Sequence, residues 1–260
     1  MANNTPQETR QQIRAGKLLK PTCGLAPGFT QANLVVLPRE YAFDFLLFCQ
    51  RNPKPCPVLE VLEPGSCEPV LTAPKADIRT DIALYRVYQD GKFTAETEDI
   101  KEYWNSELVS FLLGCSFTFE TALLRAGISL RHIDEGQNVP MYVTSIQTAP
   151  AGMFHGPMVV SMRPIPRDKV VKAVQITSRY PGVHGAPVQI GEPEIIGVTD
   201  LSKPDYGDPV VIRENEIPVF WACGVTPQAV ALESKPAQMI THSPGHMFIT
   251  DLRDEDLAAL

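Results

Sequence analysis

The sequence lacks several signatures that would assign it quickly to a known class of protein. It has no Walker loop, no Gly-x-Gly-x-x-Gly segment after a strand and no Gly-x-Ser-x-Gly elbow. Nucleotide binding and α/β-hydrolase chemistry therefore have little support. No stretch is rich in Lys or Arg, and the formal net charge is −7, which argues against nucleic acid or an anionic membrane as a partner. No apolar run is long enough to span a bilayer, so we expect no membrane association.

Cysteine motifs and targeting signals are also missing. The six cysteines include no Cys-x-x-Cys pair, which disfavours a zinc ribbon and a thioredoxin-type motif. The segment Met1–Arg14 is polar and lacks the apolar stretch of a signal peptide. We therefore expect a cytoplasmic protein whose thiols are free rather than paired in disulfides.

Helical and strand patterns alternate along the chain. The segment Thr5–Glu8 has the form of a capping box with proline at the first helical position, which predicts a helix over about residues 6–16. Short strands alternating with helices predict an α/β fold, with a mainly parallel sheet and helices on both of its faces. A helix–strand–strand–helix order after Cys115 predicts a smaller two-layer α+β domain inserted into the first. The predicted domains are thus residues 1–114 and 191–260 together, and residues 115–190.

Two segments look like the same turn built twice, one at Cys115 and one at Cys223. In each, an apolar run meets a small residue beside the cysteine, and a hydroxyl residue that can cap then opens a helix. A helix N-terminus attracts anions such as carboxylates, and it can lower the pKa of a thiol. Glu120 would repel an anion at the first turn. We therefore predict that the better anion site is formed by Gly224, Val225 and Thr226.

The candidate catalytic residues are thiols and imidazoles at turns. Histidine on a loop is suited to proton transfer near neutral pH, and the predicted catalytic set is Cys115, Cys223, His155, His242 and His246. The structural alternatives stay open, since free cysteines are commonly buried apolar residues and turn histidines commonly bond backbone carbonyls.

Neither a cofactor nor a metal is predicted. The spacing of His242 and His246 would suit two metal ligands on a helix, but Pro244 and Gly245 prevent a regular helix there. A divalent metal is the open alternative.

Arginine is the residue expected to hold a substrate carboxylate, because its guanidinium matches that group with two parallel hydrogen bonds. Arg163 is the favoured candidate because it follows the apolar strand Met158–Met162. A structural ion pair or a solvated charge is the alternative. With Arg163, the predicted substrate-binding set contains Ser116, Gly224, Val225 and Thr226.

Six segments carry a resemblance to a known family: Gly114–Phe117, Asn138–Tyr142, Gly156–Pro164, His184–Pro187, Phe220–Gln228 and Ile240–Met247. They resemble the bacterial hydro-lyase family, which is similar to part of mitochondrial D-glutamate cyclase. The resemblance runs from about residue 10 to about residue 252. It implies a two-part α/β fold and a lyase, and D-glutamate cyclase itself converts D-glutamate to 5-oxo-D-proline and water.

The leading functional hypothesis is therefore a hydro-lyase acting on a small amino or hydroxy acid, of the D-glutamate cyclase type. Two rivals are kept. Paired cysteine turns are also compatible with a cofactor-independent racemase or epimerase that uses two thiols on opposite faces of its substrate. A non-catalytic binding protein for a small acid is the third hypothesis. The expected partner is a small carboxylic or amino acid, and homodimer formation is left open.

Overall fold

A computed structural model describes residues 4–259 of the chain. Its helices are α1 (Pro6–Arg14), α2 (Arg39–Arg51), α3 (Phe117–Arg125), α4 (Arg131–Asp134), α5 (Val170–Ser178) and α6 (Thr226–Ser234). Its strands are β1 (Phe29–Pro38), β2 (Val58–Val61), β3 (Tyr85–Gln89), β4 (Lys92–Thr97), β5 (Leu108–Gly114), β6 (Met141–Gln147), β7 (Pro157–Pro166), β8 (Gln189–Ile190), β9 (Glu216–Ala222), β10 (Gln238–His242) and β11 (Phe248–Arg253).

The larger sheet, sheet A, has seven strands. Six of them follow the order β2-β5-β1-β10-β3-β4, and β11 pairs with β1 beside this path. Leu34 and Val36 of the central strand β1 belong to one buried cluster, whereas Val35 and Leu37 belong to another. Because alternate side chains of a strand point to opposite faces, both faces of sheet A are covered. This explains the continuous apolar run in β1.

The smaller sheet, sheet B, has four strands in the order β6-β7-β9-β8. Its centre is the long pairing of β7 with β9, in which Arg163 lies opposite Val219 and Ser161 lies opposite Trp221. Met162 belongs to a different buried cluster from Trp221. The face of β7 that carries Ser161 and Arg163 is therefore the face toward α3.

The prediction of a mainly parallel sheet with helices on both faces was wrong. Every paired strand among residues 4–259 is antiparallel to its neighbours. The error came from assuming that a strand–helix–strand sequence returns to the same sheet. The helix α6 instead leads from β9 in sheet B to β10 in sheet A, and α3 and α4 lead from β5 in sheet A to β6 in sheet B.

Local signals were more reliable. The capping box at the start of α1 is present, with Thr5 Oγ1 accepting from the Glu8 amide at 3.2 Å and Glu8 Oε2 accepting from the Thr5 amide at 2.8 Å. This confirms the predicted helix, although it ends at Arg14. The predicted domain boundaries stay a prediction, since sheet membership does not by itself define a domain. Within residues 4–259, none of the helices combines the length and the apolar character that crossing a membrane requires.

Candidate active site

The chain makes the same turn at Cys115 and at Cys223. In the first, the Thr118 N–H donates to the Cys115 carbonyl at 3.1 Å. In the second, the Thr226 N–H donates to the Cys223 carbonyl at 3.0 Å. Each turn ends a strand of one sheet and starts a helix that leads toward the other, so the repeated sequence pattern marks the two crossings between the sheets.

The hydroxyl groups at these turns do not cap the helices, which differs from the expectation. Ser116 is the N-cap residue of α3, but its side chain caps no amide, and its Oγ accepts from the Arg163 guanidinium at 3.0 Å. Val225 is the N-cap residue of α6. The Thr226 hydroxyl donates instead to the Cys223 carbonyl at 2.7 Å. Both hydroxyls therefore serve the buried structure rather than the helix ends.

Asn33 of β1 joins the two turns. Its Nδ2 donates to the Gly114 carbonyl at 2.7 Å. A Cβ added at Gly224 would lie 1.9 Å from the same Nδ2 atom, so the side chain of Asn33 occupies the space beside Gly224. The predicted anion site thus faces an asparagine amide, and glycine is required there because of this close approach.

The thiols of Cys115 and Cys223 are buried, with 6% and 7% of their surface exposed. Burial raises the pKa of the Cys223 thiol to about 11, although the Val225 N–H opposes this change. Burial also raises the pKa of the Cys115 thiol well above its usual range. A buried thiol with a raised pKa stays protonated near neutral pH, whereas the thiolate is the reactive form. A catalytic role for either cysteine therefore stays a prediction that this environment does not favour.

Arg163 is wholly buried and bound to Glu120, so its predicted role of holding a substrate carboxylate stays a prediction that this environment does not favour. Its Nε lies 2.9 Å from Glu120 Oε1, and its terminal nitrogens donate to Ser116 Oγ and Ser161 Oγ, each at 3.0 Å. Phe119 and Trp221 flank the guanidinium at 5.4 and 5.6 Å from their ring centroids. These partners satisfy a charge that would otherwise be costly to bury.

Glu120 lies in the first turn of α3, where the helix dipole favours a negative charge. Burial acts to raise the pKa of Glu120, but the charge of Arg163 and the nearby His132 outweigh it and hold the pKa below its ordinary value. His132 Nε2 lies 3.0 Å from Glu120 Oε1. This contact contributes to the lowered pKa of Glu120, and the nitrogen has no other polar partner among the described residues.

The three predicted histidines occupy different environments. The side chain of His155 is exposed. His242 is 1% exposed, and its Nδ1 accepts from the Leu34 N–H at 3.1 Å. Burial lowers the pKa of His242 to about 3. His246 is half-buried, with Nδ1 lying 3.2 Å from the Pro244 carbonyl, and burial lowers its pKa too. Both of the latter fit the structural alternative of turn histidines bonded to backbone.

Glu120 also lines a cavity of about 220 Å³. Pockets for drug-sized ligands begin at about 300 Å³, so this cavity suits a smaller metabolite. Gln31, Thr121 and Asp254 are its other polar side chains, and Gln31 Oε1 is buried without a partner in residues 4–259. The remaining lining residues are Gly24, Leu25, Ala26, Pro27, Gly28, Phe29, Phe117, Leu124 and Ile133. None of them belongs to the predicted site.

Asp254 also lines a second cavity of about 90 Å³, together with Thr121 and the two exposed arginines Arg125 and Arg253. Burial raises the pKa of the Asp254 carboxyl from 3.8 to about 7, against the opposing effect of the Thr121 and Thr30 hydroxyls. A carboxyl group with this pKa both accepts and donates protons near neutral pH. It lies between the wall that contains Glu120 and a second cavity whose charged lining residues also include Arg125, Arg253 and Glu255.

The loop before β1 forms one wall of both cavities. Gly24, Ala26 and Gly28 all adopt left-handed backbone conformations, with φ of 73°, 43° and 88°. Among the hydrogen bonds of residues 4–259, none has the N–H of these three residues as its donor. They alternate with Leu25, whose N–H donates to the Thr22 carbonyl at 3.0 Å, and with Pro27, which has no N–H. The Asp254 N–H fixes the loop by donating to the Gly28 carbonyl at 3.1 Å.

Sequence reasoning missed the residues around this cavity. Glu120 was considered only as a group that repels anions, because nothing local shows that Arg163 lies beside it. Asp254 stands in an acidic terminal segment that is typical of a solvated surface. The available signal was the glycine-rich loop Gly24–Gly28, which contains a proline and precedes a buried strand.

The comparisons with known proteins agree with the sequence motifs. Residues 109–251 match the family described as D-glutamate cyclase. The "Putative hydro-lyase" of Geobacillus kaustophilus is 66% identical over 254 residues, covering 98% of this chain and 97% of the relative. "Putative hydro-lyase YcsI" of Bacillus subtilis is 61% identical over 255 residues, covering 98% and 99%.

One solved structure, a nitrogen repressor-like protein from Methanococcus jannaschii, covers 94% of this chain and 97% of its own at 10% identity and a TM-score of 0.38. That value is too low to define a shared fold. The sequence matches do define a family: the chain belongs to the D-glutamate cyclase family. This confirms the resemblance, and it confirms the prediction of a lyase-type enzyme at the level of the family.

Proposed function

We propose that this protein closes D-glutamate to 5-oxo-D-proline and water, at the paired cavities around Asp254. Membership of the D-glutamate cyclase family supports the reaction type. The observation that carries the proposed site is the position of Asp254, a buried carboxyl group with a pKa near 7 that lines both cavities. The relatives carry the name hydro-lyase, and release of water is the element that this name shares with the cyclase reaction.

The reaction defines what the site must supply. The substrate nitrogen attacks the γ-carboxyl carbon, so one C–N bond forms and one C–O bond breaks. Two protons leave the ammonium group and two join the departing oxygen as water, so no net proton is taken up. The site therefore needs a group that carries protons from nitrogen to oxygen, N–H donors for the developing oxyanion, and a cationic group for the α-carboxylate.

Asp254 is the proposed proton carrier. At a pKa of about 7 it is partly ionised at neutral pH, so it can accept a proton from the ammonium group and return it to the leaving oxygen. The left-handed loop at Gly24, Ala26 and Gly28 lines the cavity, and the N–H groups of these three residues donate to no atom of residues 4–259. These are suited to the negative charge that develops on the γ-carboxyl oxygen.

The two ends of the substrate match the two cavities. Arg125 and Arg253 line the smaller cavity and are suited to bind the α-carboxylate. Gln31 Oε1 lines the larger cavity and lacks a partner among the described residues, so it is suited to accept a hydrogen bond from the ammonium group.

The test follows D-glutamate and L-glutamate with purified protein by NMR. We expect formation of 5-oxo-D-proline from D-glutamate. Asp254→Asn should lower kcat at least about a hundredfold, the lower end of what one proton-transfer group contributes. Arg253→Gln should mainly raise KM. The matched control is Asp256→Asn, an exposed acid two residues away that lines neither cavity, and it should keep full activity.

Other outcomes would replace this proposal. Exchange of the Cα proton for deuterium without cyclisation, abolished by Cys115→Ala or Cys223→Ala, would favour the two-thiol racemase. Thermal stabilisation by glutamate without turnover would favour a non-catalytic binder. Full activity of Asp254→Asn would overturn the site, even if cyclase activity itself is found.

A further inference from the structure

Three side chains from distant parts of the sequence converge behind the wall of the larger cavity. The Cys23 thiol, a Glu120 carboxylate oxygen and a His132 ring nitrogen all lie within 4.8 Å of one another. Cys23 precedes the cavity loop, Glu120 is in α3 and His132 is in α4. We propose that Cys23, Glu120 and His132 form a binding site for a borderline-soft divalent cation of the Zn²⁺ or Co²⁺ type.

The spacing is close to that of tetrahedral coordination. Cys23 Sγ lies 4.0 Å from Glu120 Oε2, and His132 Nε2 lies 3.0 Å from Glu120 Oε1. Ligands bound at about 2.0–2.3 Å to one zinc ion are separated from each other by about 3.3–3.8 Å. The first distance is slightly longer and the second slightly shorter than these separations, and the Cys23 thiol and the His132 nitrogen lie within 4.8 Å of each other. Small shifts of these side chains would therefore complete a three-ligand set.

The His132 nitrogen faces the other two donors of this cluster. His132 is 1% exposed, and its Nε2 atom lies 3.0 Å from Glu120 Oε1. Phe117 stacks on the imidazole ring at 6.4 Å between centroids, with the ring planes 20° apart. The packing therefore holds the nitrogen toward Glu120 rather than toward solvent.

Arg163 does not prevent this coordination. Its guanidinium bonds Glu120 Oε1, while Glu120 Oε2 faces the Cys23 thiol. One carboxylate oxygen can thus stay with the arginine while the other binds the cation. Two anionic donors, the thiolate and the carboxylate, offset the charge of the ion, and coordination removes the thiol proton.

The donor set also selects the type of metal. Thiolate and imidazole suit zinc, cobalt and related ions, whereas magnesium and calcium prefer oxygen ligands alone. Three protein ligands leave a fourth coordination position for a further ligand. This arrangement is typical of zinc sites that bind a water molecule or a ligand oxygen. The proposal does not depend on the D-glutamate reaction, and its test reads metal binding directly.

The test titrates metal-free protein, kept reduced, with Co²⁺ and records the absorption spectrum. We expect one bound Co²⁺ ion per chain and a thiolate-to-cobalt charge-transfer band in the near ultraviolet. Added Zn²⁺ should displace the Co²⁺ and remove this band. Cys23→Ser should abolish this band, and it should weaken binding at least about tenfold through loss of one of three ligands. His132→Gln should weaken binding similarly but retain the band.

Matched controls are the half-buried Cys67 and the exposed His155, which lie outside the cluster. Cys67→Ser and His155→Gln should bind Co²⁺ like the unchanged protein. The proposal is overturned if the unchanged protein binds no stoichiometric Co²⁺, if bound Co²⁺ shows no thiolate band, or if Cys23→Ser leaves the band in place. The first two readings need no variant, so a folding defect cannot obscure the result.

Discussion

Arg163 Nε lies 2.9 Å from Glu120 Oε1, and neither residue exposes more than 3% of its surface. This buried ion pair ties β7 of sheet B to the helix that leaves sheet A. Removing one partner of such a pair strands a charge in a medium of low polarity, whereas removing both does not. The pair is therefore expected to behave as a unit.

The first prediction concerns this unit. Arg163→Met and Glu120→Gln should each lower the free energy of unfolding by about 3–5 kcal/mol. The double variant should lose clearly less free energy of unfolding than the two single variants lose together, because neither charge is then left unpaired in the core. Urea unfolding measures all three values.

An exposed ion pair gives the control for this comparison. Lys203 and Asp200 lie 3.2 Å apart with side chains 82% and 44% exposed, and Lys203→Met should change the free energy of unfolding by less than about 1 kcal/mol. Strict additivity of the Arg163 and Glu120 effects would show that the two residues do not act as a pair.

The second prediction concerns Asp254 and pH. Its pKa is raised from 3.8 to about 7 in the folded protein, so between these values the unfolded chain ionises while the folded carboxyl keeps its proton. This group therefore makes the folded state lose stability as the pH rises from about 4 to about 7. Asp254→Asn cannot ionise, so its stability relative to the unchanged protein should increase by about 3 kcal/mol over that range.

Urea unfolding at pH 5 and at pH 8 measures this difference. Asp256→Asn, an exposed neighbour, should show no comparable increase. The difference in free energy of unfolding between Asp254→Asn and the unchanged protein could instead be the same at both pH values. The carboxyl would then be ionised in the folded protein across this range, and the proton-carrier role would lose its support.

The third prediction concerns His242, whose pKa is lowered from 6.5 to about 3. As the pH falls from 6.5, the unfolded chain binds a proton at this residue before the folded protein does, so stability is lost toward acid. His242→Asn keeps an acceptor for the Leu34 N–H but cannot titrate. Its free energy of unfolding should fall less steeply between pH 6.5 and pH 4, by up to about 1.4 kcal/mol per pH unit.

The exposed His155 supplies the comparison: His155→Asn should follow the pH dependence of the unchanged protein. Identical slopes for His242→Asn and the unchanged protein, in unfolding series at half-unit intervals of pH, would contradict the assignment of His242 as a neutral buried group.

The fourth prediction tests the contact between Gly224 and Asn33. A Cβ at position 224 would lie 1.9 Å from Asn33 Nδ2, so Gly224→Ala must displace the amide that joins the two cysteine turns. We expect a loss of about 2 kcal/mol or more, the range seen for steric overpacking. Gly182→Ala is the control, because its Cβ would meet no atom within 4 Å, and it should be nearly neutral. Thermal unfolding of both variants decides whether the close approach exists.

The fifth prediction concerns thiol reactivity. Cys115 and Cys223 are buried and burial raises the pKa of both thiols, so iodoacetamide should modify them only at the rate of local or global unfolding. The half-buried Cys67 should react first. Mass spectrometry of peptides from briefly treated native protein measures the order. Fast modification of Cys223 at pH 7 would revive the thiolate hypothesis.

Features set by near neighbours in the sequence were predictable. The capping box at Thr5 and Glu8 determines the start of α1, because the groups involved are three residues apart. The repeated turn at Cys115 and Cys223 also exists, and its two copies meet at Asn33. The family motifs led to the correct family, since long matches carry more information than any single residue.

Sheet direction and the site were not predictable in this way. A strand–helix–strand segment has the same sequence pattern whether its second strand returns to the same sheet or joins another sheet. In this protein α6 connects β9 of sheet B to β10 of sheet A. Glu120 and Arg163 are separated by 43 residues and Cys23 and Glu120 by 97. No local pattern encodes which distant residue will neutralise a buried charge.

The amino-acid sequence by itself determined the local turns, the capped first helix, the apolar strands and the family of this protein, because these depend on short-range bonding and on residue order. Tertiary structure alone decided that the sheets are antiparallel, that Arg163 pairs with Glu120, and that Asp254 lies where two cavities meet. Those outcomes depend on which surfaces are removed from water together, and burial then sets the charge that each group carries.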